Sequence, residues 1–353
     1  MPKINEFLIG ALNNKASDLH FVSGDPARAR IHGELRTLND QDLETDFVQD
    51  AIYEIMDGAA QRIFEQQDAA DFAYEIEDVS RFRVNAFRHL NGIGAIFRAI
   101  PSNAMTLEEL NMPKVVEQLC RNTQGMILVT GKTGSGKSTT LAAMIDEMNR
   151  RLKGHILTIE DPIEFVHKAK GCLVSQREVG VHSPSFAEAL HSALREDPDV
   201  ILVGEMRDLE TISIAVTAAE MGILVMGTLH TNGAAATVDR IVNSFPADKQ
   251  SHIRTMISTS LRGVISQQLL PTIHQPGRTA ALEIMINTPA VANLIRQGKI
   301  DQLETAIQAG GAVGMKSMDS ALMDLVEKGW VSGKEAYLQA NNKSKFEEVR
   351  DMD

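Results

Sequence analysis

The sequence has too few cysteines and too short apolar runs for several classes of protein. Its 353 residues include two cysteines, Cys120 and Cys172, which cannot build a disulfide framework or a four-cysteine zinc site. We expect both to be buried thiols. No apolar run approaches the roughly 18–20 residues that span a bilayer, and residues 1–6 lack the basic start and long apolar stretch of a signal peptide. The sequence therefore predicts a cytoplasmic protein without direct membrane insertion.

Aromatic residues and net positive charge are also scarce. Aromatics make up 5% of the chain, Trp330 is its single tryptophan, and the formal net charge is −12. Surfaces that bind nucleic acids are basic, and those that bind single strands add aromatic side chains. The composition therefore argues against nucleic acid as a partner and against a polybasic membrane-surface segment.

The length favours two domains, since a domain usually takes about 100–200 residues. The first hundred residues combine strand patterns with one helical pattern from 43 to 56, which favours a small α+β domain. Proline and asparagine then cluster between Ala99 and Pro113, which indicates a linker, and Pro113 suits the first residue of the next helix. The predicted limits are 1–98 for the N-terminal domain, 99–112 for the linker and 113–353 for the second domain.

The second domain alternates short apolar runs, rich in β-branched residues, with helical patterns. Such strands, each followed by a helix, are typical of a largely parallel sheet that is covered on both faces. The fold class is therefore α/β, and the chain beyond 282–286 is predicted to be mostly helical. The predicted strands lie at 126–130, 155–159, 200–203 and 223–229, and the predicted helices near 137–151, 185–195, 208–220 and 233–244.

The strongest motif is residues 131–138, which read Gly-Lys-Thr-Gly-Ser-Gly-Lys-Ser between a predicted strand and a predicted helix. In this pattern the glycines let backbone N–H groups turn around phosphates, the lysine reaches the β and γ phosphates, and the last hydroxyl ligates Mg²⁺. The alternative is a glycine-rich turn without a ligand, and the strand–loop–helix context argues against it. The residues predicted to bind ATP are Thr133, Gly134, Ser135, Gly136, Lys137, Ser138 and Thr139.

Carboxylates follow two of the predicted strands. Glu205 comes directly after the third strand, which fits a Walker B element with this side chain at the Mg²⁺ shell or the attacking water. The second strand leads into Glu160, Asp161 and Glu164, which repel one another unless a cation or hydrogen-bond donors offset them. By itself this cluster suits a solvated acidic loop equally well. With the phosphate loop upstream, we prefer the functional interpretation.

Histidine and arginine are the remaining candidates. His230 follows the fourth predicted strand, so it is either a structural histidine or a contact of the γ phosphate. Arg81 and Arg83 share one face of a predicted strand in the first domain, which suits either a polar strand face or arginines that meet phosphoryl charge. Arg195 and Arg207 flank the Walker B strand and are candidates of the same kind.

Together these motifs resemble those of the PilT-type type IV pilus retraction ATPases, which belong to the ring-forming, RecA-like secretion ATPases. The resemblance covers nearly the whole chain. Its elements are Walker A at 131–138, the Asp box at 158–165, Walker B at 194–208, the His box at 227–232, and two shorter stretches at 17–20 and 314–319.

The resemblance implies a PAS-like domain followed by a RecA-like P-loop ATPase domain, assembled as a homohexamer that binds nucleotide where subunits meet. The implied function is ATP hydrolysis that drives pilus retraction and twitching motility. The motor would act on the inner-membrane pilus platform protein, at the cytoplasmic base of the pilus machine. The implied site residues are Lys137, Glu164, Glu205 and His230 for catalysis, Ser138 and Glu205 for Mg²⁺, and Arg81 and Arg83 for a neighbour's nucleotide.

Two positions depart from the family pattern. Ile223 stands where a histidine is common, and Ala292 stands where the retraction-linked motif has an arginine. The accessory, PilU-like retraction ATPases also lack that arginine, so the chain either retracts pili itself or assists a paralogous motor. From another class, the alternative is a nucleotide-binding regulatory module without productive turnover. A RecA-like DNA motor is opposed by the acidity of the chain.

Overall fold

The computed structural model describes residues 2–31, 33–77, 79–100, 104–274 and 277–350. The chain forms two compact units, Met1–Asn103 and Ala104–Asp353. Residues 101–103 of the predicted linker lie outside the described residues. The limits 1–98, 99–112 and 113–353 stay predictions.

The first unit is a six-stranded antiparallel sheet with three helices. The strand order is β3-β2-β1-β6-β5-β4. Its strands are β1 (Asp18–Val22), β2 (Pro26–Ile31), β3 (Glu34–Asp42), β4 (Ala69–Ile76), β5 (Ser80–His89) and β6 (Gly92–Ile100). Its helices are α1 (Asn5–Asn13), α2 (Thr45–Ile55) and α3 (Gly58–Gln67).

The sheet of the first unit is apolar on one face, as the alternation in β5 predicts. Phe82, Val84 and Ala86 are buried in one core with side chains from all three helices, among them Leu8 and Phe64. The intervening arginines point to the opposite face, because successive side chains of a strand alternate. The predicted α+β character of this region follows from that two-layer packing.

The second unit is built on a seven-stranded sheet of order β13-β12-β7-β11-β10-β8-β9. Strand β13 runs antiparallel to β12, and the other neighbouring pairs are parallel. The strands are β7 (Gly125–Thr130), β8 (His155–Glu160), β9 (Leu173–Glu178), β10 (Val200–Val203), β11 (Leu224–Leu229), β12 (Leu261–Pro271) and β13 (Arg278–Ile286).

Helices and helical turns cover the sheet and form the C-terminal region. The α-helices are α4 (Lys114–Leu119), α5 (Lys137–Arg151), α6 (Phe186–Ala193), α7 (Leu209–Glu220), α8 (Ala234–Asn243), α9 (Ala247–Ser260), α10 (Pro289–Gln297), α11 (Leu303–Ala309), α12 (Met318–Glu327) and α13 (Gly333–Gln339). Short 3-10 helices lie at Ile300–Gln302, Gly311–Val313 and Lys343–Phe346. Helix α4 begins at Lys114, so Pro113 is its N-cap and not, as predicted, its first residue.

The predicted α/β fold with a largely parallel sheet is confirmed. The sheet is buried on both faces, since Leu128 and Ile201 pack in one core while Ile127 and Leu202 pack in another. Both cysteines are buried thiols, as expected. Sequence reasoning missed β9, whose polar residues are half-buried, and β12, which follows α9 without a turn.

Among the residues that the structure describes, no helix is both long enough and apolar enough to cross a bilayer.

We expect Leu322→Ala to destabilise the second unit by about 2–5 kcal/mol, because truncating a buried leucine leaves a cavity. Leu322 is 0% exposed and packs with Val331, Ala336 and Phe346. Urea unfolding followed by Trp330 emission measures the change, since this tryptophan directly precedes Val331.

The matched control is Leu338→Ala, a leucine of the same region that is 56% exposed. Its substitution should change the free energy of unfolding by less than about 0.5 kcal/mol. Equal unfolding midpoints for the two variants would contradict this description of the core.

Candidate nucleotide site

The loop at 131–138 joins β7 to α5 and turns its backbone inward at three glycines. The φ angles are +141° at Gly131, +79° at Gly134 and +89° at Gly136. Residues other than glycine rarely adopt positive φ angles, so the backbone of this loop requires the motif's glycines. A loop of this kind directs successive N–H groups towards one point, which suits an anion at the start of a helix.

Gln267 on β12 lies directly behind this loop. A Cβ atom added at Gly131 would meet the Gln267 carbonyl oxygen at 2.3 Å, and one added at Gly136 would meet Gln267 Nε2 at 2.7 Å. The Gln267 side chain is 2% exposed, and its Oε1 accepts a hydrogen bond of 2.7 Å from the Thr140 hydroxyl. Sequence reasoning missed this residue. The available signal was the polar stretch 266–268 inside the otherwise apolar run 264–270.

Two side chains of the loop are buried and aimed at its interior. Lys137 is 8% exposed, and its Nζ donates to the carbonyl oxygens of Gly131 at 2.8 Å and Lys132 at 3.1 Å. Burial lowers the pKa of Lys137, and the negative charge of Glu205 opposes that effect. The buried Ser135 hydroxyl has no hydrogen-bond partner among the described residues. An unpaired buried hydroxyl is costly, so these two groups fit an anionic ligand.

The remaining predicted loop residues are more open to solvent. Thr133, Gly134 and Ser138 are exposed, and Gly136 and Thr139 are half-buried. Ser138 is the second residue of α5, so its hydroxyl lies at the helix N-terminus. That position leaves it accessible to a ligand held by the loop.

The carboxyl ends of four parallel strands meet the phosphate loop at one sheet edge. Thr130, the last residue of β7, is in register with Leu229 of β11. Val203 of β10 is in register with Gly227 of β11 and with Ile159 of β8. The residues that directly follow these strand ends therefore line one crevice, as is usual for parallel sheets.

Glu205, His230 and Arg207 form a hydrogen-bonded group in this crevice. His230 Nε2 lies 2.9 Å from Glu205 Oε1, and Arg207 donates to the other carboxylate oxygen, Oε2, at 2.6 Å. Burial acts to raise the pKa of Glu205, but the hydrogen bond from Arg207 and the neighbouring His230 outweigh it, so the pKa is lowered. The structure therefore brings together three residues that the sequence marked as candidates, Glu205, His230 and Arg207.

The three acids at the end of β8 and in the loop that follows it do not act alike. Glu160 is buried and accepts hydrogen bonds from the Thr158 hydroxyl at 2.7 Å and from the Glu164 N–H at 3.2 Å. Burial raises the pKa of Glu160, and these donors oppose the rise. Asp161 and Glu164 are exposed. Glu160 thus shapes the turn from within, and Glu164 stays available to a ligand.

Comparison with known proteins identifies the family. The sequence profile described as "Type II/IV secretion system protein" matches residues 1–318. The chain belongs to this secretion ATPase family. It is 52% identical to the type IV pilus retraction ATPase PilT of Pseudomonas aeruginosa over 343 residues, which is 97% of this chain and 99% of that protein. It is 38% identical to the type IV pilus ATPase PilU of the same organism, over 92% of this chain and 85% of that one.

A solved structure of a family member has the same fold. The crystal structure of the pilus retraction motor PilT with bound ADP matches with a TM-score of 0.91 and 42% identity. The match covers 97% of this chain and 98% of that chain. The predicted resemblance to PilT-type retraction ATPases is confirmed by these similarities.

The predicted arginines of the first unit lie on β5, away in sequence from the phosphate loop. Arg83 is exposed, and its Nε lies 3.9 Å from Asp71 Oδ1. Arg81 is half-buried on the same face. Of the arginines flanking β10, Arg207 contacts Glu205 and Arg195 is exposed. A role for Arg81, Arg83 and Arg195 at a nucleotide stays a prediction.

The two departures from the family pattern lie outside the crevice. Ile223 directly precedes β11 and packs half-buried against the core. Ala292 lies in α10 and is half-buried, between the buried Val291 and the exposed Asn293. Neither substitution removes a group that the geometry above assigns to the phosphate loop.

We expect Gly131→Ala to weaken ADP binding by about tenfold or more, because the new methyl group would overlap the Gln267 carbonyl and force the loop to move. Calorimetric titration with ADP measures this affinity. Gly134→Ala is the control, since Gly134 also has a positive φ, of +79°, but nothing within 4 Å of an added Cβ. It should carry backbone strain alone, about 1 kcal/mol. Equal affinities for the two variants would show that Gln267 does not constrain the loop.

Proposed function

We propose that this chain is an ATP-hydrolysing motor that powers type IV pilus retraction. The observation that carries the proposal is the meeting of the phosphate loop, Lys137, Glu205 and His230 at one sheet edge. The full-length similarity to retraction ATPases supports pilus retraction, and hence twitching motility, as the work that the motor performs.

ATP is the substrate that the loop suits. Its phosphates would accept hydrogen bonds from the inward N–H groups and from the Ser135 hydroxyl, which lacks a partner within the described residues. Lys137 would exchange the carbonyls of Gly131 and Lys132 for phosphate oxygens, and thereby place its charge against the β and γ phosphates. Phosphoryl transfer needs mainly such positioning and charge stabilisation.

We propose that Ser138 and Glu205 hold Mg²⁺, which when bound neutralises charge on the phosphates. Within the described residues, no three His, Cys, Asp or Glu side chains meet so as to hold a metal ion by themselves. A Mg²⁺ ion bound with a nucleotide takes most of its ligands from phosphates and water. One hydroxyl and one carboxylate are then a sufficient donor set.

Glu205, Glu164 and His230 supply the remaining chemistry. Glu205 would have to exchange its contacts with Arg207 and His230 to reach the metal or the attacking water. His230 would then be free to contact the γ phosphate and respond to its loss. Glu164, which is exposed in the loop that follows β8, is a second carboxylate that can orient water.

The wider assembly follows from the family resemblance. We propose a homohexamer in which Arg81 and Arg83 reach the nucleotide of a neighbouring copy and stabilise the charge that develops on its phosphates. The motor would act on the inner-membrane platform protein of the pilus machine, from its cytoplasmic side.

Lys137→Ala should reduce steady-state ATP hydrolysis by about a hundredfold or more, because it removes the cation that meets the phosphates. Phosphate release by purified protein measures turnover. Lys132→Ala, in the same loop but exposed, is the control and should retain nearly full activity. Wild-type turnover by the Lys137→Ala protein would refute the site. Absence of turnover in the wild type would favour the regulatory module instead.

Ala292 favours a second candidate, the accessory PilU-like role, because a family arginine is missing at that position. A strain deleted for this chain alone distinguishes the two roles. We expect hyperpiliated cells without twitching, because the overall similarity is to PilT more than to PilU. Normal motility and pilus length in that strain would assign the accessory role.

A further inference from the structure

Glu283 on β13 is a buried carboxylate that contacts the beginnings of two helices. Its side chain is 5% exposed. Oε1 accepts a hydrogen bond of 2.7 Å from the N–H of Ala234, the first residue of α8. Oε2 accepts one of 3.2 Å from the N–H of Met318, the first residue of α12. One side chain thus joins two helices whose first residues, Ala234 and Met318, are 84 positions apart in sequence.

The first of these helices directly follows the loop that carries His230. Gly233 has a φ of +96°, and its N–H donates to the Ser266 hydroxyl of β12 at 2.8 Å. Ser266 is in register with Glu283 on one side and with Thr130, at the end of β7, on the other. Residues on β12 and β13 therefore hold the loop 230–234 from beneath, next to the phosphate loop.

The second helix begins within the segment 314–319. This segment resembles the family pattern but takes no part in the chemistry proposed for the nucleotide site. Lys316 pairs with Ile284 of β13 through both backbone groups, which sets Met318 beside Glu283. Asp319 then accepts hydrogen bonds from the backbone N–H groups of Asn341 at 2.8 Å and Asn342 at 3.1 Å. The contacts of Glu283 thereby extend to the C-terminal residues 341–342.

We propose that Glu283 is a positioning residue that links the His230 loop to the C-terminal helices, so that nucleotide bound at the phosphate loop changes the stability of α12. This rests on the proposed function for the identity of the ligand, but the link itself is a property of the chain alone. It gives the segment 314–319 a role, which is to connect the ATPase core to α12 and to residues 341–342.

A carboxylate suits this position better than any neutral side chain. Two oxygens that both accept can serve two N–H donors, and a negative charge is favoured at helix N-termini. Burial raises the pKa of Glu283, the Ala234 and Met318 N–H groups oppose the rise, and the nearby acids Glu304 and Asp319 add to it. In a glutamine of the same shape, one oxygen is replaced by an NH₂ group. Whichever way the amide turns, one helix N-terminus then faces a donor.

The test is hydrogen exchange followed by mass spectrometry on wild-type and Glu283→Gln protein, with and without ADP. Without nucleotide, we expect exchange in Glu283→Gln to be about tenfold faster at 233–237 or at 317–321, because one hydrogen bond at a helix start is lost. With ADP, both proteins should gain protection at 131–138 with similar affinity. Only the wild type should gain protection in α12.

Two further variants serve as controls. Glu304→Gln removes an exposed acid near Glu283 without touching either helix start, and should behave as the wild type. Ser266→Ala removes the acceptor of the Gly233 N–H and leaves the Met318 contact intact. Without nucleotide, Ser266→Ala should speed hydrogen exchange at 230–237 and leave exchange in α12 unchanged. If Glu283→Gln folds poorly, this variant still tests the link between the His230 loop and α12.

The outcomes separate this link from the proposed function. Protection of α12 by ADP in Glu283→Gln to the wild-type extent would overturn the link, and so would a wild type whose α12 ignores ADP bound at 131–138. If ADP left 131–138 unprotected in the wild type, the nucleotide site would fail. The link would then be tested by hydrogen exchange of the wild-type and Glu283→Gln proteins without nucleotide.

Discussion

The common register of the parallel strands is the constraint on which the site depends. Because β7, β11, β10 and β8 run in one direction and end in line, the residues that follow them meet although the sequence separates them by up to about a hundred positions. The phosphate loop, Glu205 and His230 each follow a different strand of this set, and Glu160 is the last residue of the fourth strand, β8. A sheet of mixed direction would have sent some of them to opposite ends.

Register alone does not shape the phosphate loop, which also needs support from behind. Gln267 provides it from the adjacent strand, with its main chain against Gly131 and its side chain against Gly136 and Thr140. The loop is therefore held open by packing, and its glycines are needed as much for this close contact as for their backbone angles. A pre-formed loop keeps the cost of ordering it on ligand binding small.

The charged side chains around the crevice each contact polar groups of the chain itself. Lys137 lies over loop carbonyls, while Glu205 is shared between Arg207 and His230. Each of these contacts satisfies a partly buried charged group. Glu283 stands one strand beyond Gln267 and ties the same edge to the C-terminal helices. Site and C-terminal region thus share one sheet.

The sequence by itself determined the local elements that have short-range patterns. Apolar runs predicted four strands of the parallel sheet, the glycines of 131–138 predicted a tight turn between β7 and α5, and the alternation in 80–86 predicted which face of β5 is apolar. These succeed because burial periodicity and backbone angles are encoded within a few residues.

Only the tertiary structure decided which side chains meet. It buried Glu160 but left Glu164 exposed. It brought Arg207 and His230 to Glu205. It also placed Gln267 behind the phosphate loop and Glu283 on the next strand. No local pattern marks these partners, because each contact joins different strands and depends on strand order and register. Those follow from how the whole sheet buries its two faces.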